Sequence, residues 1–383
     1  MISLLKQTRP ALTQSTTPRF PRQSRRDETL IKYIGSKRRL VPLLSDLFAR
    51  SGASTAIDMF SGTTRVARAF KEHGADVTAV DITRYGEVLA RCYVATDSNL
   101  VDLDRLASEL DRLNTLSGHA GYFTKTFCLD ARYVQPFNGE RVDAIRNDLE
   151  GRQDDPLFSV LLTSLIEATD RVDSTTGVQM AYLKNWAPRS HNPLELRLPN
   201  LLPGPGRAVR GNAVDLAPEL GPFDLAYLDP PYNQHRYIAN YHIWETLVAW
   251  DDPDHYGIAN KRVECREPCS SSPFNHKPLM PDALRSVIAA VNARLVVLSY
   301  NDESWLGLDE LFEACAGRGH VAALAFESGR YVGATIGIHN REGHKVGTPG
   351  HRKNLEYVLV AGPEDMVEHM VEPYGKARVD RAA

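Results

Sequence analysis

Hydrophobic and polar positions fall into two regimes along the chain. Residues 55–58, TAID, form a short apolar run that enters MFSGTTRVARAFKEHG, where small residues make a turn before Val66, Ala67 and Phe70 recur at helical spacing and Gly74 ends the helix. ADVTAVD then supplies a second strand finishing at Asp81. A strand, helix and strand in this order pack with the two strands parallel. Residues 85–116 read as Leu-rich helices. From about 98 to 205 the pattern stays helical, with VDAIRNDLE and LFSVLLTSLIEATDRV set between the polar turns GRQDDP and DSTTG. The Pro-rich LRLPNLLPGPG closes this stretch at Gly206, and strand signals then return. FDLAYLD ends in DPPYN and ARLVVLSYN ends at Asn301, while HVAALAFE, ATIGIHN and LEYVLVAG complete the sheet, the last two as an antiparallel hairpin. The pattern predicts an α/β sheet interrupted by a mainly helical insert. The expected division is 1–30 as a basic, disordered arm, 31–98 and 206–362 as the two parts of one sheet domain, 99–205 as the insert and 363–383 as a tail.

Composition narrows the class. With 383 residues, 43% hydrophobic and 24% charged, the chain can bury a substantial core, which excludes a wholly disordered, collagen-like or disulfide-stapled protein. Five scattered cysteines suit a reducing cytoplasm, and no apolar run approaches the ~18 residues needed to cross a bilayer. Residues 1–26 carry six basic side chains and no acid, without the apolar stretch of a signal peptide, so a disordered arm and an over-long predicted start are equal readings. A net charge of −3 by itself gives no support to a nucleic-acid partner.

Open α/β sheets bind ligands at the carboxyl ends of their strands, and three such ends carry polar signatures here. Asp58-Met59-Phe60-Ser61-Gly62-Thr63-Thr64 holds a single glycine, too few for backbone to approach a pyrophosphate as in a dinucleotide fold. Asp81, 19 residues after Gly62, stands where a carboxylate bonds the hydroxyls of a ribose. Together they suit a nucleoside cofactor without phosphate, of which S-adenosyl-L-methionine is the common one. The third end, Asp229-Pro230-Pro231-Tyr232, is the most specific signal. Two prolines fix φ and remove two donors, leaving carbonyls free to accept; Asp229 adds a carboxylate and Tyr232 an aromatic face. That set matches a planar exocyclic amino group on a base: acceptors for its N–H bonds and a ring to stack on. No metal is required. Cys265, Cys269 and His276 make a C-x₃-C arrangement with no second pair, a weak zinc signal, and His235 and His242 suit surface or packing roles.

These residues resemble the Dam-like, α-group DNA adenine-N6 methyltransferases, closest to the restriction-modification type, over roughly Lys32 to Gly362. The resemblance implies a Rossmann-like S-adenosylmethionine-dependent methyltransferase sheet with a target-recognition insert, acting on adenine flipped out of a specific duplex DNA sequence. Lys32-Tyr33-Ile34-Gly35-Ser36-Lys37 is similar to the family's N-terminal motif, 58–64 to its cofactor loop, Asp81 to its ribose acid, DPPYNQHRYIANYHIWETL to its catalytic loop and following helix, and LSYND to a later strand-end motif. It assigns Asp229, Pro230, Pro231 and Tyr232 to the base, and Tyr33, Lys37, Asp58, Phe60, Gly62, Asp81 and Asn212 to the cofactor. Two positions depart from the pattern: Thr64 stands where the loop usually has a second glycine, and Asn212 where an acid usually precedes the catalytic strand. Asn212 can still accept through its side-chain carbonyl.

The insert then corresponds to target recognition. Between Lys184 and Arg210 five basic residues, Lys184, Arg189, Arg197, Arg207 and Arg210, face one acid, Glu195, and Arg341, Lys345, Arg352 and Lys353 face Glu342. Lys184, Arg189, Arg197 and Arg207 are the candidate phosphate contacts on double-stranded DNA, with a solvated face as the alternative. A cognate restriction endonuclease is a candidate partner, and the oligomeric state is open. Methylation of RNA adenine or of a protein glutamine, and a non-catalytic DNA-binding module of the same fold, are the competing readings. Asp229 in place of the asparagine typical of the glutamine enzymes leans away from the second of these, and the intact DPPY away from the third.

Overall fold

The computed structural model describes residues 31–33, 37–231, 234, 236–267, 270–329 and 353–381. In chain order α1 (Val41–Ser51), β1 (Thr55–Asp58), α2 (Arg65–Glu72), β2 (Asp76–Asp81) and α3 (Arg84–Ala90) open the sheet domain, and α4 (Leu103–Asn114), α5 (Pro136–Leu149) and α6 (Phe158–Arg171) form the helical region. The chain returns through β3 (Gly206–Arg210), α7 (Ala213–Leu216), β4 (Phe223–Leu228), α8 (Tyr237–Asn240) and α9 (His242–Ala249). A small hairpin of β5 (His255–Tyr256) and β6 (Lys261–Arg262) follows, then α10 (Met280–Ala290), β7 (Ala293–Asn301), α11 (Leu308–Cys315), β8 (His320–Gly329), β9 (Lys353–Gly362), α12 (Glu364–Val371) and β10 (Arg378–Val379).

Eight strands make one sheet in the order β10-β8-β9-β7-β4-β1-β2-β3. The five from β7 to β3 are parallel, and β9, β8 and β10 are each antiparallel to the strand they join. The chain leaves β1 toward β2 and β3, then comes back on the opposite side of β1 as β4. That reversal opens a crevice at the carboxyl ends of β1 and β4. Leu43, Phe48, Phe70 and Met370 from α1, α2 and α12 cover one face of the sheet, and Leu284, Val287 and Leu311 from α10 and α11 cover the other. A strand buried on both faces cannot alternate polar and apolar residues, which explains the apolar run 225–228 that makes up most of β4.

The helical region has its own core, centred on α6, whose Leu161, Leu162, Leu165 and Ile166 are fully buried. That core does not stop at 99 and 205: Tyr85 and Leu89 of α3 and Trp244 and Leu247 of α9 belong to it. The insert is therefore packed onto the helix that follows DPPY. Among the described residues no helix is long and apolar enough to cross a membrane.

ATIGIHN, the expected hairpin partner of LEYVLVAG, lies outside the described residues, as does the arm at 1–30; among the described strands the antiparallel neighbours of β9 are β8 and β7. One expectation changes. Residues after Gly362, expected as a tail, fold onto the sheet: Val367 and Met370 of α12 are fully buried and β10 pairs with β8. Their apolar spacing within a short, charged stretch hid a helix face that only tertiary packing completes.

Candidate active site

The strand ends of β1, β2 and β4 meet at a cavity of about 550 Å³. All seven expected cofactor residues line it: Tyr33, Lys37, Asp58, Phe60, Gly62, Asp81 and Asn212. Asp229 and Pro231 line it as well, and Pro230 is buried behind them. Tyr232, His235, Cys269 and residues 34–36 lie outside the described residues.

The loop after β1 is built by backbone bonds to its neighbours. Met59 N donates to Tyr227 O at 3.0 Å and Ser61 N to Val80 O at 2.8 Å, so the loop is stitched to both β4 and β2. Gly62 takes a φ of +48°, and a Cβ there would sit 3.3 Å from the Tyr33 ring. Thr64, where the family has glycine, is fully buried with a φ of +63°, its hydroxyl donating to Thr63 O at 2.7 Å. A β-branched residue in the left-handed region is strained by roughly 1–2 kcal/mol, so the turn is held here by its surroundings and not by residue choice. Ser61 Oγ is buried with no hydrogen-bond partner among the described residues and faces the cavity wall.

Asp81 spans two segments. Its Oδ2 accepts from Gly62 N at 2.9 Å, and its Oδ1 from Thr83 N and Thr83 Oγ1 at 2.8 and 2.6 Å, Thr83 being the N-cap of α3. Burial raises its pKa, and these donors oppose the rise. Asp58 accepts from Phe60 N at 3.3 Å, and burial pushes its carboxyl up to about 8 against the backbone donors of Phe60 and Ala67, with the neighbouring Asp229 and Asp81 adding to the shift. Asn212 caps α7, its side-chain oxygen accepting from Val214 N at 3.1 Å. The carbonyl expected to face a ligand is thus engaged, and what Asn212 offers the cavity in addition is an amide N–H.

At the β4 end the partners are side chains. Asp229 Oδ1 lies 3.0 Å from Lys37 Nζ and accepts from Ser299 Oγ at 3.2 Å, and Ser299 in turn sits 2.8 Å from the Tyr227 hydroxyl. Burial raises the Asp229 pKa and Lys37 opposes the rise. Lys37, expected at the cofactor, therefore has its ammonium on the DPPY carboxylate. It is also 3.9 Å from Glu356 on β9. Because β9 is antiparallel, its early residues lie at the same sheet edge as the carboxyl ends of the parallel strands, with Glu356 opposite Asn301. Sequence reasoning gave no role to Ser299, within the strand-end motif LSYND, or to Glu356, although each was visible as a polar letter inside an apolar strand, in LVVLSYN and LEYVLVAG.

The aromatic wall is Tyr33, stacked between Tyr241 and Tyr237 with ring centroids 4.6 and 5.2 Å apart. Glu245 of α9, also missed, lines the cavity fully buried and takes the Arg84 backbone N–H on both oxygens, at 3.0 and 3.1 Å; burial pushes it up to about 7. Its signal was an acid on the apolar face of HIWETL.

The four candidate DNA cations are not gathered at the cavity. Arg189 is committed to the fold by Asp173, at 2.6 Å, and by Thr175 O. Arg197 pairs with exposed Glu195, and Arg207 sits three residues before the end of β3, bonded to Thr78 Oγ1 at 3.2 Å. Lys184 is exposed in the loop beyond α6. The Arg189 guanidinium is thus shared with a buried carboxylate. No group of metal-ligating side chains occurs among the described residues, and Cys265 is buried with its thiol directed at Ile238 O.

Residues 33–313 match the family described as D12 class N6 adenine-specific DNA methyltransferase. The chain is similar to the type II methyltransferase M.NlaIII of Neisseria lactamica, 30% identical over 300 residues that cover 74% of this chain and 87% of that one. It is also similar to the modification methylase StsI of Streptococcus sanguinis, 28% identical over 73% of this chain but 45% of that protein, and to the type II methyltransferase M.CviAII of Paramecium bursaria Chlorella virus 1, 28% identical over 73% and 86%. The chain thus spans most of two of these relatives and about half of the third.

Proposed function

The chain belongs to the D12 class of N6 adenine-specific DNA methyltransferases, and from that premise we propose that its cavity takes S-adenosyl-L-methionine at the β1–β2 end and a flipped adenine at the β4 end. The donor set fits this cofactor. Three carboxyls, Asp58, Asp81 and Asp229, with aromatic faces from Tyr33 and Phe60, favour a cationic ligand bearing a flat base, and the Ser61 hydroxyl, which has no partner among the described residues, leaves a donor for it. S-adenosyl-L-methionine supplies, when bound, an electrophilic methyl group on a sulfonium.

The chain's own part is positioning and charge. Asp81, already fixed by Gly62 and Thr83, offers its remaining lone pairs to ribose hydroxyls. Asp229 accepts an N–H of the adenine amine and stabilises the positive charge that develops on that nitrogen, in a site where water is scarce and a fixed carboxylate acts strongly. Pro230 and Pro231 present no competing N–H, and Tyr232 stacks on the base. Because the carboxylate is recessed in a cavity, the base must leave the helix stack to reach it.

The observation that carries this reading is the Asp229 carboxylate opening into the same cavity as Asp58 and Asp81. Asp229→Ala is expected to abolish methyl transfer to adenine in duplex DNA, a loss of at least roughly 10³-fold, while cofactor binding by calorimetry persists. Near-normal transfer by that variant would remove Asp229 from the chemistry. We further assign duplex contacts to the 99–205 region with Lys184, a specific target sequence, a cytoplasmic setting, and a restriction endonuclease of the same sequence as functional partner.

A further inference from the structure

Glu356 is a buried carboxyl that the reading above does not use. Its Oε1 accepts from Asn301 Nδ2 at 2.9 Å, while Oε2 is buried with no hydrogen-bond partner among the described residues and lies 3.9 Å from Lys37 Nζ. Buried carboxylate oxygens without a donor are costly, and a fold that keeps one beside its reactive acid is holding charge there against its own stability. The charged and titratable groups facing it are Lys37 from the turn before α1, Asp229 from the end of β4 and Asp302 from the end of β7, with Asn301 as the neutral donor. The Asp302 carboxylate accepts from Leu355 N, one residue before Glu356, so the strand start is tied to the β7 end.

We propose that Glu356 is a positioning residue for methyl transfer: it shares the Lys37 ammonium with Asp229, so that one cation serves two carboxylates and Asp229 retains net negative charge for the adenine amine. With Glu356 ionised, the cluster of Lys37, Asp229 and Glu356 carries one net negative charge. With Glu356 neutral, Lys37 and Asp229 cancel. A cancelled pair is a poorer acceptor for an amine whose nitrogen becomes positive in the transition state, because repulsion from the ammonium offsets part of the attraction by the nearer carboxylate. The effect acts on the rate of transfer and not on the binding of either ligand, since Glu356 acts through Lys37. Burial raises the Glu356 pKa and Lys37 opposes the rise, so the ionised form is the one gained as pH increases.

This inference rests on Asp229 being the acceptor, and the experiment separates the two. Glu356→Gln, Glu356→Asp and Asp229→Ala are compared with wild type for single-turnover methyl transfer to an adenine-containing duplex from pH 5 to 9, for cofactor and duplex dissociation constants, and for melting temperature. Glu356→Gln is expected to slow single-turnover transfer roughly tenfold with both dissociation constants unchanged, and to make the acid-side fall of log rate with pH shallower than in the wild type. Glu356→Asp is expected to recover part of the rate. The fold should keep or gain stability in Glu356→Gln above neutral pH, because a carboxyl with a raised folded-state pKa contributes stability that is lost as pH rises. A wild-type rate and slope in Glu356→Gln, with Asp229→Ala inactive, would overturn the role of Glu356 alone. A Glu356→Gln that melts well below wild type and binds the cofactor poorly would make Glu356 a structural brace and overturn it too. Transfer by Asp229→Ala would overturn the underlying reading.

Discussion

The two ends of the cavity hold their acids in opposite ways. At the β1–β2 end, Asp81 and Asp58 accept mainly from backbone N–H groups of the same β-turn-α-β unit, Gly62, Thr83 and Phe60. At the β4 end, Asp229 is held by side chains from distant stretches of chain, Lys37 and Ser299, with Glu356 beyond them. Backbone donors fix a carboxylate together with the loop it shapes, so that end behaves as a rigid mould. Side-chain partners set charge and can be altered without unmaking the loop, so the β4 end is where reactivity is tuned. The difference says that substitutions at one end should act on ligand affinity and at the other on rate.

The sharpest way to break that contrast is Lys37→Ala. It removes the ammonium that opposes the burial-driven rise of the Asp229 pKa and leaves Asp229 and Glu356 to repel each other, so Asp229 is driven toward its neutral form and single-turnover transfer is expected to fall about 10²-fold with a much smaller change in cofactor affinity. An equal loss of affinity would mean that the two ends are one unit. Asp81→Ala should do the reverse, weakening cofactor binding by roughly tenfold to hundredfold in calorimetry, since charge-assisted hydrogen bonds and the Gly62 anchor are both lost.

Asp58 gives a pH test. Its carboxyl is raised to about 8 by burial, so in the ligand-free protein it is protonated at neutral pH and ionises as pH rises through that value. A cationic ligand draws on the ionised form. Cofactor affinity should therefore rise with pH up to about 8, by at most tenfold per unit, and Asp58→Asn should flatten the dependence. A profile in the wild type as flat as in the variant would detach Asp58 from the cofactor. The smallest effect is expected for Thr64→Gly. Relief of the left-handed backbone and loss of a buried methyl are of similar size, so stability by thermal melting should change by less than about 1 kcal/mol.

The same contrast explains what could be read from the chain directly. The β1–β2 end was legible because its residues are close in sequence and its bonds are local: DMFSGTT, Asp81 and the strand-helix-strand order define it without distant partners. DPPY was legible for the same reason. Ser299, Glu356 and the Lys37 ammonium on Asp229 were not, because a β-sheet joins them across long separations, and the antiparallel sense of β9 that brings Glu356 to the ligand edge is a topological fact. Arg189 shows the converse case: the run of positive residues is plain in the sequence, and only the fold reveals that Asp173, buried just beyond α6, holds one of them. The C-terminal helix was missed because its apolar residues mean little until α12 is set against the sheet.

The most direct test of the central claim is base-resolution mapping of N6-methyladenine in DNA from cells expressing the wild-type chain or Asp229→Ala. The wild type should mark adenine within one short recurring sequence, and the variant should leave that sequence unmarked. Equal marking by both, or methyl groups found only on other bases or on RNA, would contradict the assignment of Asp229 and its cavity to adenine in duplex DNA.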